Sequence, residues 1–325
     1  MRFRPSGFTA AMLAALAVLV EPAAVSAAPR VVASILPIHS LVAGVMEGVG
    51  VPVLIVKSTG SEHGYALKPS DARALKEADV VFWIGEDLET FLVKPLAALP
   101  KTARQVPLSA TQGLTLYPNR IGGPWDVEAS GSLHGKNDGP GGGATAHEAH
   151  GHEMDMHLWL DADNARRLVE TMVESLSAAD PANAPRYRQN GAQLIERITS
   201  LDAQLKGRLK PVAGIPYVVF HDAYQYFERR YGLAAVGSIT TSPERAPSAK
   251  RLAAIRAKIT QARARCAFAE PQFSGAIVRT VVEGTEARTG QLDPIGATLA
   301  PGPEAYFELL RNLAGSFLAC LGPRN

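Results

Sequence analysis

Short runs of β-branched and aromatic residues alternate along this chain with stretches in which apolar side chains recur every three or four positions. The runs V-V-A-S-I, V-P-V-L-I-V and D-V-V-F-W-I, from Val31 onward, read as strands, and residues 40–47, 69–78 and 88–98 read as helices. Pro69 followed by Ser70 and Asp71 is a helix-start signal, because proline suits the first helical turn. A second block of the same kind begins at Pro216. Its candidate strands are P-Y-V-V-F, L-A-A-V-G-S-I, C-A-F-A-E and a short segment at 291–293, separated by helices over 223–231, 248–264, 276–289 and 304–319. This alternation predicts an α/β protein with a parallel sheet and flanking helices in each block. The blocks are alike in kind without an exact internal repeat.

Between them, residues 164–179 and 186–209 carry helical periodicity. In the second, Tyr187, Leu194, Ile198, Leu201 and Leu205 form an apolar stripe that can pack along both halves, so a long helix is expected to serve as a stiff hinge. The predicted organisation is an N-terminal lobe over 28–180, a linker helix over 181–212 and a C-terminal lobe over 213–325. The mature length of about 300 residues fits two domains better than one.

Two segments depart from this pattern. Residues 1–27 have a secretory layout: Arg2 and Arg4, an apolar stretch from Phe8 to Val20, then V-S-A-A-P. That stretch is shorter than the roughly 20 residues a bilayer needs, so a cleaved signal peptide is expected, with the cut near Ala27 or Ala28. No cysteine lies nearby to carry a lipid, so the mature chain is expected to be exported, soluble and not embedded in a membrane. Residues 122–156 are glycine-rich, hold six acidic residues against one lysine, and include His134, His147, His150 and His152. Too few aliphatic residues lie there to offset the entropy of ordering, which predicts a mobile loop.

Charge excludes little beyond nucleic acid: the formal net charge is +2 and the basic residues are scattered. The only cysteines, Cys266 and Cys320, are read as a structural disulfide suited to an exported protein.

The candidate chemistry lies in three histidines outside the loop. His221 follows the apolar run Y-V-V-F, His63 sits in S-E-H-G-Y-A-L-K-P-S-D, and His157 sits in M-H-L-W-L-D. Loops after parallel strands converge at one sheet edge, so folding can gather all three. Three imidazoles suit zinc, with a fourth position for a carboxylate or water; Glu62 is the first candidate and Asp293, in Q-L-D-P-I-G, the second. If both carboxylates bound, manganese or iron would regain ground. His39, in L-P-I-H-S-L, is read as a side chain near a helix start.

These segments, together with F-H-D-A-Y-Q-Y-F-E and F-A-E-P-Q-F, resemble the signatures of the periplasmic metal-binding proteins of ABC importers, most closely the zinc-specific ZnuA type. The resemblance implies two Rossmann-like lobes joined by a rigid helix, with zinc held in the cleft by His63, His157 and His221, and by Glu62 or water. It implies a role for Asp293 near the metal, a Cys266–Cys320 disulfide, and a non-enzymatic, monomeric receptor that hands Zn2+ to a membrane permease. His147, His150 and His152, with Glu148 or Asp155, would form a weaker second zinc site. The rival class is a secreted zinc hydrolase, since three histidines and an open position also describe a catalytic centre. No H-E-x-x-H motif is present to support it.

Overall fold

The computed structural model describes residues 28–57, 60–121, 125, 154–240 and 243–323. The first apolar runs form Val31–Ala33 (β1), Val53–Leu54 (β2) and Val80–Trp83 (β3), and Arg104–Pro107 adds β4. The second block supplies Pro216–Val219 (β5), Ala234–Ser238 (β6), Cys266–Ala269 (β7) and Arg288–Gln291 (β8). All pairings are parallel, in two four-stranded sheets ordered β2-β1-β3-β4 and β6-β5-β7-β8. The two lobes therefore repeat one topology. Inner strands are apolar throughout because helices cover both faces: Val80, Val81 and Phe82 are fully buried, as are Tyr217, Val218 and Val219.

The helices are Leu36–Val45 (α1), Pro69–Glu77 (α2), Thr90–Ala97 (α3), Ala162–Ala179 (α4), Ala184–Leu209 (α5), Gln225–Tyr231 (α6), Ala249–Ala262 (α7), Ala276–Val282 (α8) and Ala305–Leu321 (α9). Three differences from the sequence reading have physical causes. The edge strand β4 buries only Val106, so it carries no apolar run to betray it. The helix expected over 276–289 stops at Val282, where Gly284 turns the chain at φ +75°, and the final strand consequently starts at Arg288 instead of 291. The first helix begins at Leu36 rather than 40, with Pro37 in its first turn.

The linker is as anticipated in kind. Single tight turns at Pro181–Asn183 and Lys210–Val212 flank α5, whose 26 residues extend about 39 Å. It packs against α1 and α4 on one side and α6 and α9 on the other. Asn190 Nδ2 donates to the carbonyls of Val45 (2.9 Å) and Glu47 (2.8 Å), closing the end of α1. At Gly191 a Cβ would lie 2.4 Å from Val173 Cγ2, so the close approach of α4 and α5 needs glycine there. No helix among the described residues is long and apolar enough to cross a membrane.

Cys266 and Cys320 form a disulfide that ties β7 to α9 across 54 residues of sequence. Replacing both cysteines by alanine is expected to lower the unfolding free energy of the oxidised, metal-free protein by about 2–4 kcal/mol, since a closed loop of that length limits the unfolded chain. Urea denaturation followed by circular dichroism measures this, and an unchanged midpoint would deny the bridge a stabilising role.

Candidate metal centre

In each sheet the connections diverge on either side of the first and third strands, and the crevice at their carboxyl ends is where such folds present groups to a ligand. His221 leaves the end of β5 at that point. His63 lies in the connection from β2 to α2. His157 precedes a tight turn at Leu158–Leu160, all three residues of which are buried, and Asp161 then caps α4 by accepting the N–H groups of Asp163 (2.7 Å) and Asn164 (3.0 Å). Trp159 Nε1 donates to the Pro294 carbonyl (2.8 Å) and Tyr306 donates to the Trp159 carbonyl (2.9 Å), so this turn is fixed against the C-terminal lobe.

The three histidines and Glu62 meet. One ligand atom from each lies within 4.8 Å of every other. Glu62 Oε1 is 3.8 Å from His63 Nε2, 3.7 Å from His157 Nε2 and 3.9 Å from His221 Nε2, and the last two nitrogens are 3.4 Å apart. A tetrahedral zinc shell with bonds near 2.0–2.1 Å separates its donors by about 3.3–3.4 Å. The three Glu62 separations exceed this by about half an ångström and the His157–His221 separation already matches it, so these groups are near the spacing of a zinc shell. Glu62 Oε1 and His63 Nε2 are buried without a hydrogen-bond partner, a cost of about 1–3 kcal/mol for each such atom that a cation would remove.

Carboxylates hold two of the rings from behind. Asp155 Oδ1 lies 2.8 Å from His157 Nδ1 and also accepts the His157 backbone N–H at 3.0 Å. Asp155 is itself fixed by Gln225 Nε2 (3.3 Å), while its carbonyl accepts from Tyr226 (2.7 Å). Glu270 faces His221 Nδ1 with both oxygens, at 2.8 and 2.7 Å. These contacts put the Nδ1 protons toward the carboxylates and leave the Nε2 atoms facing inward.

Electrostatics follow from burial and these partners. Burial opposes the charge on Glu62, but the proximity of His157, His63 and His221 prevails and pulls its carboxyl down to about 2. His63, penalised chiefly by desolvation, drops to about 3. His157 and His221 move the other way: burial lowers them, and Asp155 with Glu62, and Glu270 with Glu62, overcome it and raise both.

Other sequence candidates fall elsewhere. Asp293 is not in the cluster; its Oδ1 accepts from Gly296 N (2.9 Å), Ile295 N (3.3 Å) and Gln272 Nε2 (3.3 Å), so it shapes its own turn. Asp155, read as a ligand of a loop site, is instead the buried partner of His157, and with Met156 it belongs to the folded core because the chain re-enters the lobe at Met154, paired with Pro118. His39 is buried, 3.0 Å through Nε2 from the Pro52 carbonyl. The signal segment and His134, His147, His150 and His152 lie outside the described residues. Sequence reading missed the part of Glu270, although F-A-E-P-Q-F carried a signal: an acidic residue closing an apolar strand.

The family model for the periplasmic zinc-uptake complex component A, ZnuA, matches residues 31–320. The chain belongs to the ZnuA family. A curated member from Brucella abortus strain 2308, named high-affinity zinc uptake system protein ZnuA, is 46% identical over 304 residues, covering 90% of this chain and 91% of its own. Among solved structures, a ZnuA deletion mutant with zinc bound superposes with a TM-score of 0.71 at 22% identity, covering 92% of this chain and 100% of its own. A manganese-bound periplasmic metal-binding protein from Candidatus Liberibacter asiaticus gives 0.69 at 20% identity, covering 90% and 99%. At these identities the structural likenesses establish the ZnuA-type two-lobed fold alone.

Two outcomes test the centre. Protons compete with a cation for Nε2, so the raised affinity of His157 and His221 for protons makes metal affinity fall as pH falls, already through the neutral range. Zinc binding at pH 7 is therefore expected to release about one to two protons per ion, measured by calorimetry in buffers of different ionisation enthalpy; no release would contradict the assignment. His157→Ala and His221→Ala are each expected to weaken zinc binding by at least about 100-fold with far-ultraviolet circular dichroism unchanged.

Proposed function

We propose that this chain is the periplasmic receptor of a zinc importer of the ABC class. It takes up Zn2+ in the interlobe cleft through His63, His157, His221 and Glu62, and hands the ion to a membrane permease driven by ATP on the cytoplasmic side. The observation that carries this reading is the convergence of three imidazole nitrogens on one buried carboxylate oxygen, with two of the four atoms unpartnered. The names of the curated relatives point to the same cargo.

The donor set favours zinc over manganese or iron, because imidazole nitrogens suit zinc whereas manganese prefers oxygen donors, and Asp293 does not add a second carboxylate to the cluster. A binding role also fits better than hydrolysis. Among the described residues the acidic side chain of the cluster, Glu62, is aimed at the same point as the imidazoles, and Asp155 and Glu270 are engaged with His157 and His221, which leaves no separate base for a metal-bound water there. The receptor works as a monomer with a cleaved leader over residues 1–27. A weaker second zinc would bind His147, His150 and His152. Since Asp155 supports His157, a test of that loop should delete residues 144–152 only, which leaves the cleft intact.

Competition measures the central point. Protein purified without chelator and titrated with zinc against a hundredfold excess of manganese is expected to keep its cleft-bound zinc, and a strain lacking the gene is expected to recover growth under zinc limitation when the chain is restored. Displacement of zinc by manganese, or turnover of ester, peptide or phosphate substrates by the zinc-loaded protein, would reject the reading.

A further inference from the structure

The C-terminal lobe holds a buried carboxylate that is not itself among the clustered ligand atoms. Parallel pairing sets Tyr217 beside Cys266 and Val218 beside Ala267, and continuing that register past the strand ends sets His221 beside Glu270. The two side chains leave adjacent strands at the crevice where the connections of this sheet diverge. Pro271 restricts Glu270 to extended backbone. Phe273 N donates to the Glu270 carbonyl (3.2 Å) and Leu292 N to the Ala269 carbonyl (2.9 Å), which fix the turn that follows.

Glu270 is 2% exposed, and its two oxygens lie 2.8 and 2.7 Å from His221 Nδ1. Tyr224 donates to Oε1 at 3.0 Å and anchors that carboxylate oxygen. Phe273 meets the imidazole edge-on, with ring centres 6.4 Å apart, and is stacked on Phe220 at 5.0 Å. The ring is thus held between the Glu270 carboxylate and Phe273. A carboxylate accepts but cannot donate, so the proton at this interface sits on Nδ1, which leaves Nε2 as the ring atom turned toward Glu62 and His157 and available to a metal.

We infer that Glu270, held by Tyr224, is the positioning residue that fixes the tautomer and direction of His221 and thereby sets how tightly the C-terminal lobe grips the metal. The inference rests on the zinc reading of the cleft. Asp155 supports His157 from two residues away on the same segment, whereas Glu270 reaches His221 from a different strand. Affinity in this lobe accordingly depends on the β5–β7 pairing, and β7 carries the disulfide to α9.

The test is a double-mutant cycle on zinc affinity, read by competition with a chromophoric chelator, for the full chain and its Glu270→Gln, His221→Ala and combined variants. Glutamine keeps the size and an acceptor for Tyr224 but lacks the charge and can present a donor to Nδ1. Glu270→Gln is expected to weaken zinc binding about 10- to 100-fold, with the thermal midpoint of the metal-free protein little changed, and to add less than about twofold to the loss in His221→Ala. Nitrogen-15 spectra of the zinc-loaded protein should show the His221 proton on Nδ1 in the parent chain. Equal losses from Glu270→Gln in both backgrounds, or none in the parent while His221→Ala weakens binding, would overturn the inference alone. Full zinc affinity in His221→Ala would overturn the zinc reading and the inference with it.

Discussion

Convergence of three imidazole nitrogens on a buried carboxylate is the constraint on which the rest of this structure depends. Such a cluster is unfavourable without a cation: the Glu62 charge is removed from water, and Glu62 Oε1 and His63 Nε2 have no protein partner. Only a rigid scaffold keeps these groups from separating to find water. Helix α5 supplies it by packing on both lobes, and the Trp159–Pro294 and Tyr306–Trp159 bonds lock the His157 turn against the far lobe. Burial and partner then divide the work among the rings. His157 and His221 lean on carboxylates, whereas His63 is the most exposed of the three, its side chain 26% accessible.

The repeated topology shows how one layout serves two ends. Val31 faces Val80 and Tyr217 faces Cys266, with the same spacing in each lobe. At the C-terminal crevice the residues beyond these strands are His221 and Glu270. At the N-terminal crevice Glu89 accepts the N–H groups of Ile84 (2.6 Å) and Gly85 (3.2 Å) and ties off the end of β3. Desolvation, together with the Glu62 charge, raises that carboxyl to about 7 against the pull of its hydrogen bonds. The N-terminal lobe therefore delivers its ligands from the longer connections that carry His63 and His157.

Much of this was legible in the sequence because inner parallel strands must be apolar on both faces, so β1, β3, β5 and β7 announce themselves. Edge strands β4 and β8 do not, since one side faces solvent and Arg104, Gln105, Arg288 and Gln291 can occupy it. His63, His157 and His221 were readable as histidines at strand ends or in short motifs beside apolar runs. Glu62 was readable from its place beside His63. The supporting carboxylates were harder: Asp155 lies within a polar, glycine-rich stretch and looked like part of it, and the pairing of Glu270 with His221 appears only once strand register is known.

The coordination shell of the bound ion is the most direct measure of the three-imidazole centre. X-ray absorption at the zinc edge, on protein loaded with one equivalent, is predicted to give four light-atom donors near 2.0–2.1 Å with multiple-scattering features of three imidazoles. Two or fewer imidazoles, or an oxygen-only six-coordinate shell, would contradict it.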